Sequence, residues 1–303
     1  MVAGILRSAF DVREMPTEGT GHATELAREA VREGVDLVAV LGGDGTVNEA
    51  VNGLAGTATP LAIVPGGGAD VFARSLGIPK RPADAAARVT ANWGPAQKER
   101  RVPLGRVVPA AGRPSPHSVA SNRPAGRYFV ANCGLGFDAS IVRMVERKPQ
   151  MKRRIGDWYF VLVGLRLFFL SGYDRRTPHV ELQWGDAPDE RRDGLFLAIV
   201  QNTSPYTYLG GRALRLCPEA RLDGDLDCFT TETMRSRFIL PFVVSTFGPA
   251  PKVDGPHALY VRDQRKFRIT SDQPLPAQVD GEYIGEHTDL SLESVPDALT
   301  VLC

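Results

Sequence analysis

Cysteine is scarce in this chain: four residues in 303, Cys133, Cys217, Cys228 and Cys303, none in C-x-x-C spacing. That excludes a disulfide framework and a zinc knuckle and leaves reduced, mostly buried thiols as the expectation. An excess of one charge is also missing. Lys and Arg number 36 against 35 Asp and Glu, a formal net charge of +1, so nothing supplies the sustained basic face that binds polyanions, and no nucleic-acid partner is expected. Nor is there a long hydrophobic run. The most apolar stretch, Ile155 to Leu170, contains Asp157 and Arg166 and is shorter than the ~20 residues of a membrane-spanning helix. Met1 to Ser8 lack the apolar segment of a signal peptide, so export is not expected. The five histidines, His22, His117, His179, His257 and His287, show no metal-ligand spacing. What is present is 43% apolar content with 31 Gly and 23 Pro, which predicts a globular chain of two ordinary domains rich in turns and short strands.

From His22 to Glu33 apolar or small residues recur at helical spacing, with Gly34 placed for a left-handed C-terminal cap. Val35 to Leu41 is a nearly continuous apolar run, as in a strand buried on both faces. A glycine cluster and a helix follow. Leu61 to Val64, Pro65-Gly-Gly-Gly68 and a short helix from Val71 to Leu76 repeat the order, which predicts a parallel α/β sheet. Near residue 100 the texture changes, and Gly112 to Pro124 reads as a connection or loose hairpin loop. The predicted domains are 1–104, an α/β unit, and 105–303, an antiparallel β-rich unit whose last strand, Leu299 to Leu302, can return to the first. Its other strands are expected at Tyr128–Asn132, His179–Trp184, Leu195–Gln201, Leu226–Thr230, Ala258–Val261 and Phe267–Thr270, with Ile155–Leu170 as a helix crossing the sheet.

Leu41-Gly-Gly-Asp-Gly-Thr-Val-Asn-Glu49 places three glycines and a carboxylate between a strand and a helix start. Such a loop frees backbone amides to face an anion, and Asp44 is suited to hold Mg²⁺ or orient a transferring group. The spacing is neither that of a P-loop nor G-x-G-x-x-G. Thr46 and Glu49 also fit a capping box, so capping and ligand contact both stay open for them. Pro65-Gly66-Gly67-Gly68-Ala69-Asp70 supplies a second glycine loop, and the two together make a phosphate cradle; Asp70 is expected to be the N-cap of the helix that follows.

Four blocks in series carry a resemblance: Gly42-Gly-Asp-Gly-Thr-Val-Asn-Glu-Ala-Val-Asn-Gly-Leu54, Phe72-Ala-Arg-Ser-Leu-Gly-Ile-Pro79, Asn132-Cys-Gly-Leu-Gly-Phe-Asp-Ala139 and Asp280-Gly-Glu282. From about residue 20 onward the chain resembles the diacylglycerol kinase and sphingosine kinase-like lipid kinases, and within them the bacterial diacylglycerol kinases. The first block is shared with NAD kinases and phosphofructokinases. The resemblance implies an amino-terminal α/β domain of that kind, a carboxyl-terminal antiparallel β-sandwich, and a cleft between them for ATP and the lipid head group. It implies that Gly42, Gly43, Asp44, Gly45 and Thr46 lie along the nucleotide phosphates with Asn48 nearby, joined by Gly67 and Gly68, and that Glu282 accepts the proton of the lipid hydroxyl. Asp138 is left between a substrate contact and a turn-holding role.

Three departures accompany the resemblance. The chain begins shortly before what reads as the family's second strand, Phe10 to Glu14, so its first strand-helix unit is expected to be lacking. The second loop has Gly67-Gly68-Ala69-Asp70 where a hydroxyl residue and Asn are usual, which predicts weaker ATP binding. The acidic Mg²⁺ turn reads Leu222-Asp-Gly-Asp-Leu-Asp227, leaving Asp223 or Asp225 as the metal ligand. The implied activity is ATP- and Mg²⁺-dependent phosphorylation of diacylglycerol to phosphatidic acid by a cytoplasmic protein associated peripherally with the inner membrane face. The alternatives are a kinase for another lipid, such as a sphingoid base, and a non-catalytic nucleotide- or lipid-binding protein. Lys148 to Arg154 and the aromatics from Trp158 to Phe169 are candidates for a lipid-facing end, with core packing the competing role. A homodimer is the base-rate assembly.

Overall fold

The computed structural model describes residues 1–94, 98–110, 126–156, 158–170, 173–185, 187 and 190–303. The Gly112 to Pro124 connection and His117 lie outside the described residues. The chain divides into two compact units, Met1–Leu104 with Val295–Cys303, and Gly105–Ser294.

In the first unit α1 (Val2–Leu6), α2 (His22–Glu33), β1 (Val38–Gly42), α3 (Asp44–Leu54), β2 (Leu61–Pro65), α4 (Val71–Ser75) and α5 (Pro82–Asn92) follow in order, and β3 (Glu99–Pro109) leaves it. β1 and β2 pair in parallel from Val38↔Leu61 to Gly42↔Pro65, and the returning end of the chain joins β2 in parallel at Val301↔Leu61. α2 ends where its capping signal lies: Gly34 takes φ 73, and its N–H reaches back to the carbonyls of Ala30 and Val31. α2 packs closely on α3, since a Cβ on Gly53 would stand 2.5 Å from that of Ala27.

Two expectations are corrected here. Phe10 to Glu14 is not a strand. Phe10 and Val12 do alternate inward, packing with Leu6, Ala86 and Leu302. β1 is not buried on both faces either; it pairs only with β2 among the described residues, and Leu41 is 57% exposed. β2, one strand further in, is buried throughout.

The second unit contains β4 (Arg127–Phe129), β5 (Asn132–Gly136), α6 (Phe137–Glu146), α7 (Pro149–Ile155), α8 (Trp158–Leu170), β6 (Val180–Trp184), β7 (Arg191–Leu195), β8 (Leu197–Gln201), β9 (Thr207–Leu209), β10 (Arg212–Leu214), β11 (Leu226–Thr231), α9 (Ser236–Ser245), β12 (Ala258–Gln264), β13 (Lys266–Val279) and β14 (Glu282–Leu302). All its described pairings are antiparallel. β13, β5, β8, β11 and β12 follow in that order, β6 and β7 extend from the first half of β13, and β14 pairs along its length. One core lies against this sheet, to which Cys133, Leu135, Ala198, Val200 and Cys228 contribute. Alternation sends Leu197, Ile199 and Phe229 to the opposite side of the same sheet, where helices cover them.

The segment expected as one helix, Ile155 to Leu170, divides into α7 and α8, with Gly156 at φ 66. α8 rests on α6, Tyr159 and Val163 meeting Val145 and Ile141, and reaches the sheet through Phe168, which joins Leu197, Ile199 and Phe229. α6 and α9 were not expected; Pro241 inside α9 conceals it. The strand expected at Tyr128–Asn132 breaks into β4 and β5. The three buried thiols, Cys133, Cys217 and Cys228, are free, as is the part-exposed Cys303. No helix among the described residues is long and apolar enough to cross a membrane.

Candidate active site

In the first unit the carboxyl ends of β1 and β2 run into the two glycine loops side by side. Gly66 N–H donates to the Gly42 carbonyl at 2.9 Å. A Cβ on Gly43 would lie 3.2 Å from Gly67 Cα, and one on Gly67 would lie 2.8 Å from Gly43 Cα. The main chains thus touch where a side chain would part them. Gly43 is the N-cap of α3 without a side-chain cap, and Val47 N–H makes the first described bond of the helix, to Gly43 O. The amino end of α3 therefore opens at the loops, and its amides and dipole favour an anion. A Cβ on Gly45 would meet nothing within 4 Å. Gly68 is exposed and Asp44 half-buried.

Around these loops the side chains have structural partners. Asn48 is 1% exposed and accepts hydrogen bonds from Asn52 Nδ2 on its carbonyl and Oδ1, so it lies beneath the loop. Glu49 does not complete a capping box with Thr46. It accepts from Gly21 N–H at 2.8 Å and Ala23 N–H at 3.1 Å, capping the neighbouring helix α2. Asp70 holds the N-cap position of α4 at φ 46 without capping it. Its Oδ1 accepts Gly67 N–H at 2.9 Å and closes the second loop on itself, and burial pushes its carboxyl above the ordinary range.

In the second unit Asp280 and Gly281 form the two-residue turn between β13 and β14, with Val279 opposite Glu282 and both turn residues at positive φ, 48 and 79. The Asp280 carboxylate accepts the N–H groups of Val130, Ala131 and Asn132 at 2.8 to 2.9 Å. It fastens the turn to the break between β4 and β5. Burial raises its pKa against these three bonds. Glu282 follows, its Oε2 accepting from Arg127 Nη2 at 2.6 Å, with each side chain about one quarter exposed.

Asp138 lies at the start of α6, over Gly134, where a Cβ would come within 2.3 Å of its carboxylate. Its Oδ2 accepts from Gln278 Nε2 at 3.0 Å and from Tyr206 OH at 3.3 Å, while Oδ1 is buried without a hydrogen-bond partner among the described residues. Burial pushes this carboxyl up to about 6, the Gln278 bond opposing. Gln278 is the hub: it also donates to Asn132 Oδ1 at 2.7 Å and accepts Gly281 N–H at 2.8 Å. The Asn132–Ala139 and Asp280–Glu282 blocks are thereby one network. Gln278, Arg127 and Tyr206 were not singled out from sequence, although an amide within the apolar run Leu275–Val279 is a usable signal.

The acidic turn does not fit a protein-built metal cage. Asp223 pairs with Arg221 at 3.4 Å and Asp225 with Arg265 at 3.6 Å. Asp227 points into the unit, accepting the Tyr260 hydroxyl and Asp263 N–H. No three His, Cys, Asp or Glu among the described residues converge on one point.

Residues 2–98 match the diacylglycerol kinase catalytic domain family. Across 92% of its length the chain is 27% identical to a diacylglycerol kinase of Bacillus subtilis, covering 82% of that protein. It is 31% identical over 75% of its length to a diacylglycerol kinase of Mycobacterium tuberculosis, covering 64% of it. Its fold matches a solved Bacillus anthracis chain described as a candidate diacylglycerol kinase, at 25% identity and a TM-score of 0.70, over 99% of this chain and 89% of that one. A parallel glycine-loop unit followed by an antiparallel β-unit defines a two-domain kinase fold, and the matched domain and the relatives together indicate a lipid kinase similar to the diacylglycerol kinases.

Proposed function

We propose that this lipid kinase takes its phosphoryl group from ATP and transfers it to the free hydroxyl of diacylglycerol, giving phosphatidic acid at the inner face of a membrane. The observation that carries the reading is the backbone-to-backbone approach of the two glycine loops beside the amino end of α3. Gly42, Gly43, Gly45, Thr46, Gly67 and Gly68 would hold the phosphates with amides in place of side chains, and Asp44 would order that loop. Phosphoryl transfer asks for placement and charge stabilisation more than for covalent help, and ATP supplies the activated phosphoryl group. Glu282 would take the proton of the attacking hydroxyl, held in place by Arg127. The Gln278 network supports that carboxylate from beneath, with Asp138 as its buried end. Asp223 and Asp225 do not fit a Mg²⁺ cage, so no step is assigned to them; Mg²⁺ commonly travels with nucleotide phosphates. The names borne by the relatives favour diacylglycerol over other acceptors.

The test is incubation with Mg²⁺, γ-labelled ATP and vesicles offering diacylglycerol, monoacylglycerol, ceramide and sphingosine, followed by separation of the lipids. Label in phosphatidic acid is expected. Label only in another lipid would replace the acceptor, and no label from folded protein would overturn the reading.

A further inference from the structure

Nine of the thirteen exposed large apolar side chains among the described residues lie on two helices of the second unit, α8 and α9. α8 is apolar around its circumference. Tyr159, Val163 and Leu167 are buried at i, i+4 and i+8, while Trp158, Leu162 and Phe169 face water and Leu170 is 81% exposed. α9 buries none of its residues, although seven of its ten are Phe, Ile, Leu, Pro or Val; Val244 is 73% exposed. A helix apolar on all sides ordinarily lies within a protein or in lipid.

Both helices serve the same side of the β13-β5-β8-β11 sheet. Phe168 of α8 joins Leu197, Ile199 and Phe229, and Ile239 and Phe242 of α9 pack against that cluster. Phe242 stacks on Phe229 with centroids 4.8 Å apart. The outward halves of α8 and α9 therefore share one face of the unit. The charges that α8 and α9 themselves carry have one sign: neither helix contains Asp or Glu, and Arg166 and Arg237 are exposed. Arg235 stands at the N-cap of α9, and the guanidinium of Arg237 lies 4.9 Å over the Phe238 ring. Two exposed apolar helices whose own charges are all arginines are complementary to an anionic lipid surface. A second copy paired symmetrically through the same face would bring arginine against arginine.

We infer that α8 and α9 form the face by which the protein docks on an anionic phospholipid bilayer, apolar halves entering the interfacial layer and the arginines meeting lipid phosphates. The inference rests on the lipid-kinase reading for its purpose, but its test contains neither nucleotide nor diacylglycerol. Full-length protein is sedimented with vesicles of phosphatidylcholine alone or mixed with phosphatidylglycerol. Binding to the mixed vesicles is expected, weakened by salt, with a blue shift of tryptophan emission that Trp158→Phe removes. Leu170→Glu combined with Val244→Glu, at positions that pack on little, should lower partitioning about tenfold or more while circular dichroism and melting stay as in the parent. Should that pair disturb folding, Arg235→Glu with Arg237→Glu is the second arm, expected to abolish the preference for anionic vesicles. Wild-type protein that stays in the supernatant, or folded variants that sediment as it does, would overturn the inference. So would a solution dimer dissociated by the same substitutions, which would assign the face to a second copy. Protein that binds these vesicles yet phosphorylates no lipid would sink the proposed reaction and leave the docking face standing.

Discussion

The glycine loops of the first unit and the carboxylate network of the second are built on opposite principles. Around Gly43 and Gly67 the chain removes side chains so that a Cβ on Gly43 would stand 3.2 Å from Gly67 Cα, and the groups left on offer are backbone amides. Around Asp138 and Asp280 it buries polar side chains and joins them through one amide, Gln278. The first arrangement is sensitive above all to added volume. The second tolerates little change of hydrogen-bonding type and carries a buried carboxyl that titrates at about 6.

The comparison is broken most forcefully at Glu282. Glu282→Gln keeps the size and a bond to Arg127 but cannot take a proton, so turnover should fall by about 10²- to 10⁴-fold while calorimetric nucleotide affinity is retained. Ordinary turnover in that variant would remove Glu282 from the base role.

A second difference is one of pH. The unfolded Asp138 carboxyl ionises near 3.9, whereas its folded value is raised to about 6. Between those values the native state holds a proton that the unfolded chain has released. Stability should therefore fall as pH rises through this window, by about 2–3 kcal/mol in all. Urea titrations across the window should show that slope in the parent and lose it in Asp138→Asn; a slope that survives the substitution would point to another group.

The volume rule is sharpened by two glycines of the first unit. Gly67→Val must push Gly43 away and should cost about 1–3 kcal/mol, with weaker nucleotide binding. Gly45→Ala, where a Cβ meets nothing within 4 Å, should change stability by no more than about 0.5 kcal/mol. Thermal melting of the pair decides it, since equal losses would show that loop entropy rather than contact sets the cost. The smallest effect is expected at Glu49→Ala, about 1 kcal/mol for two uncapped amides of α2, read as an earlier melting midpoint with the α3 loop intact.

Much of the first unit is legible in the sequence because its determinants are local. The apolar spacing of α2 ends at Gly34, and the strand-glycine-helix order recurs within forty residues of chain at β1 and β2. The exposure of β1 was not legible, since an edge strand and a central one read alike until the neighbours are counted. Nor was the partner of Glu49, whose local pattern matches a capping box for α3 but whose carboxylate reaches α2 instead. In the second unit Asp280-Gly281, Gly134 and Gly136 entered only within blocks of the resemblance, and neither the hairpin nor the close backbone approaches were read from them.

Sequence alone therefore determined the glycine loops, the limits of α2 and the residue types available for phosphate and proton chemistry, because positive φ, capping and absence of a Cβ are properties of a few adjacent residues. Tertiary structure decided that Gln278 binds Asn132 and Asp138 at once, that Asp280 fastens residues 130–132, that Asp223 and Asp225 turn to arginines, and that α8 and α9 leave one apolar side uncovered. Those outcomes depend on segments up to about 150 residues apart being packed together, and no local period in the chain encodes such a meeting.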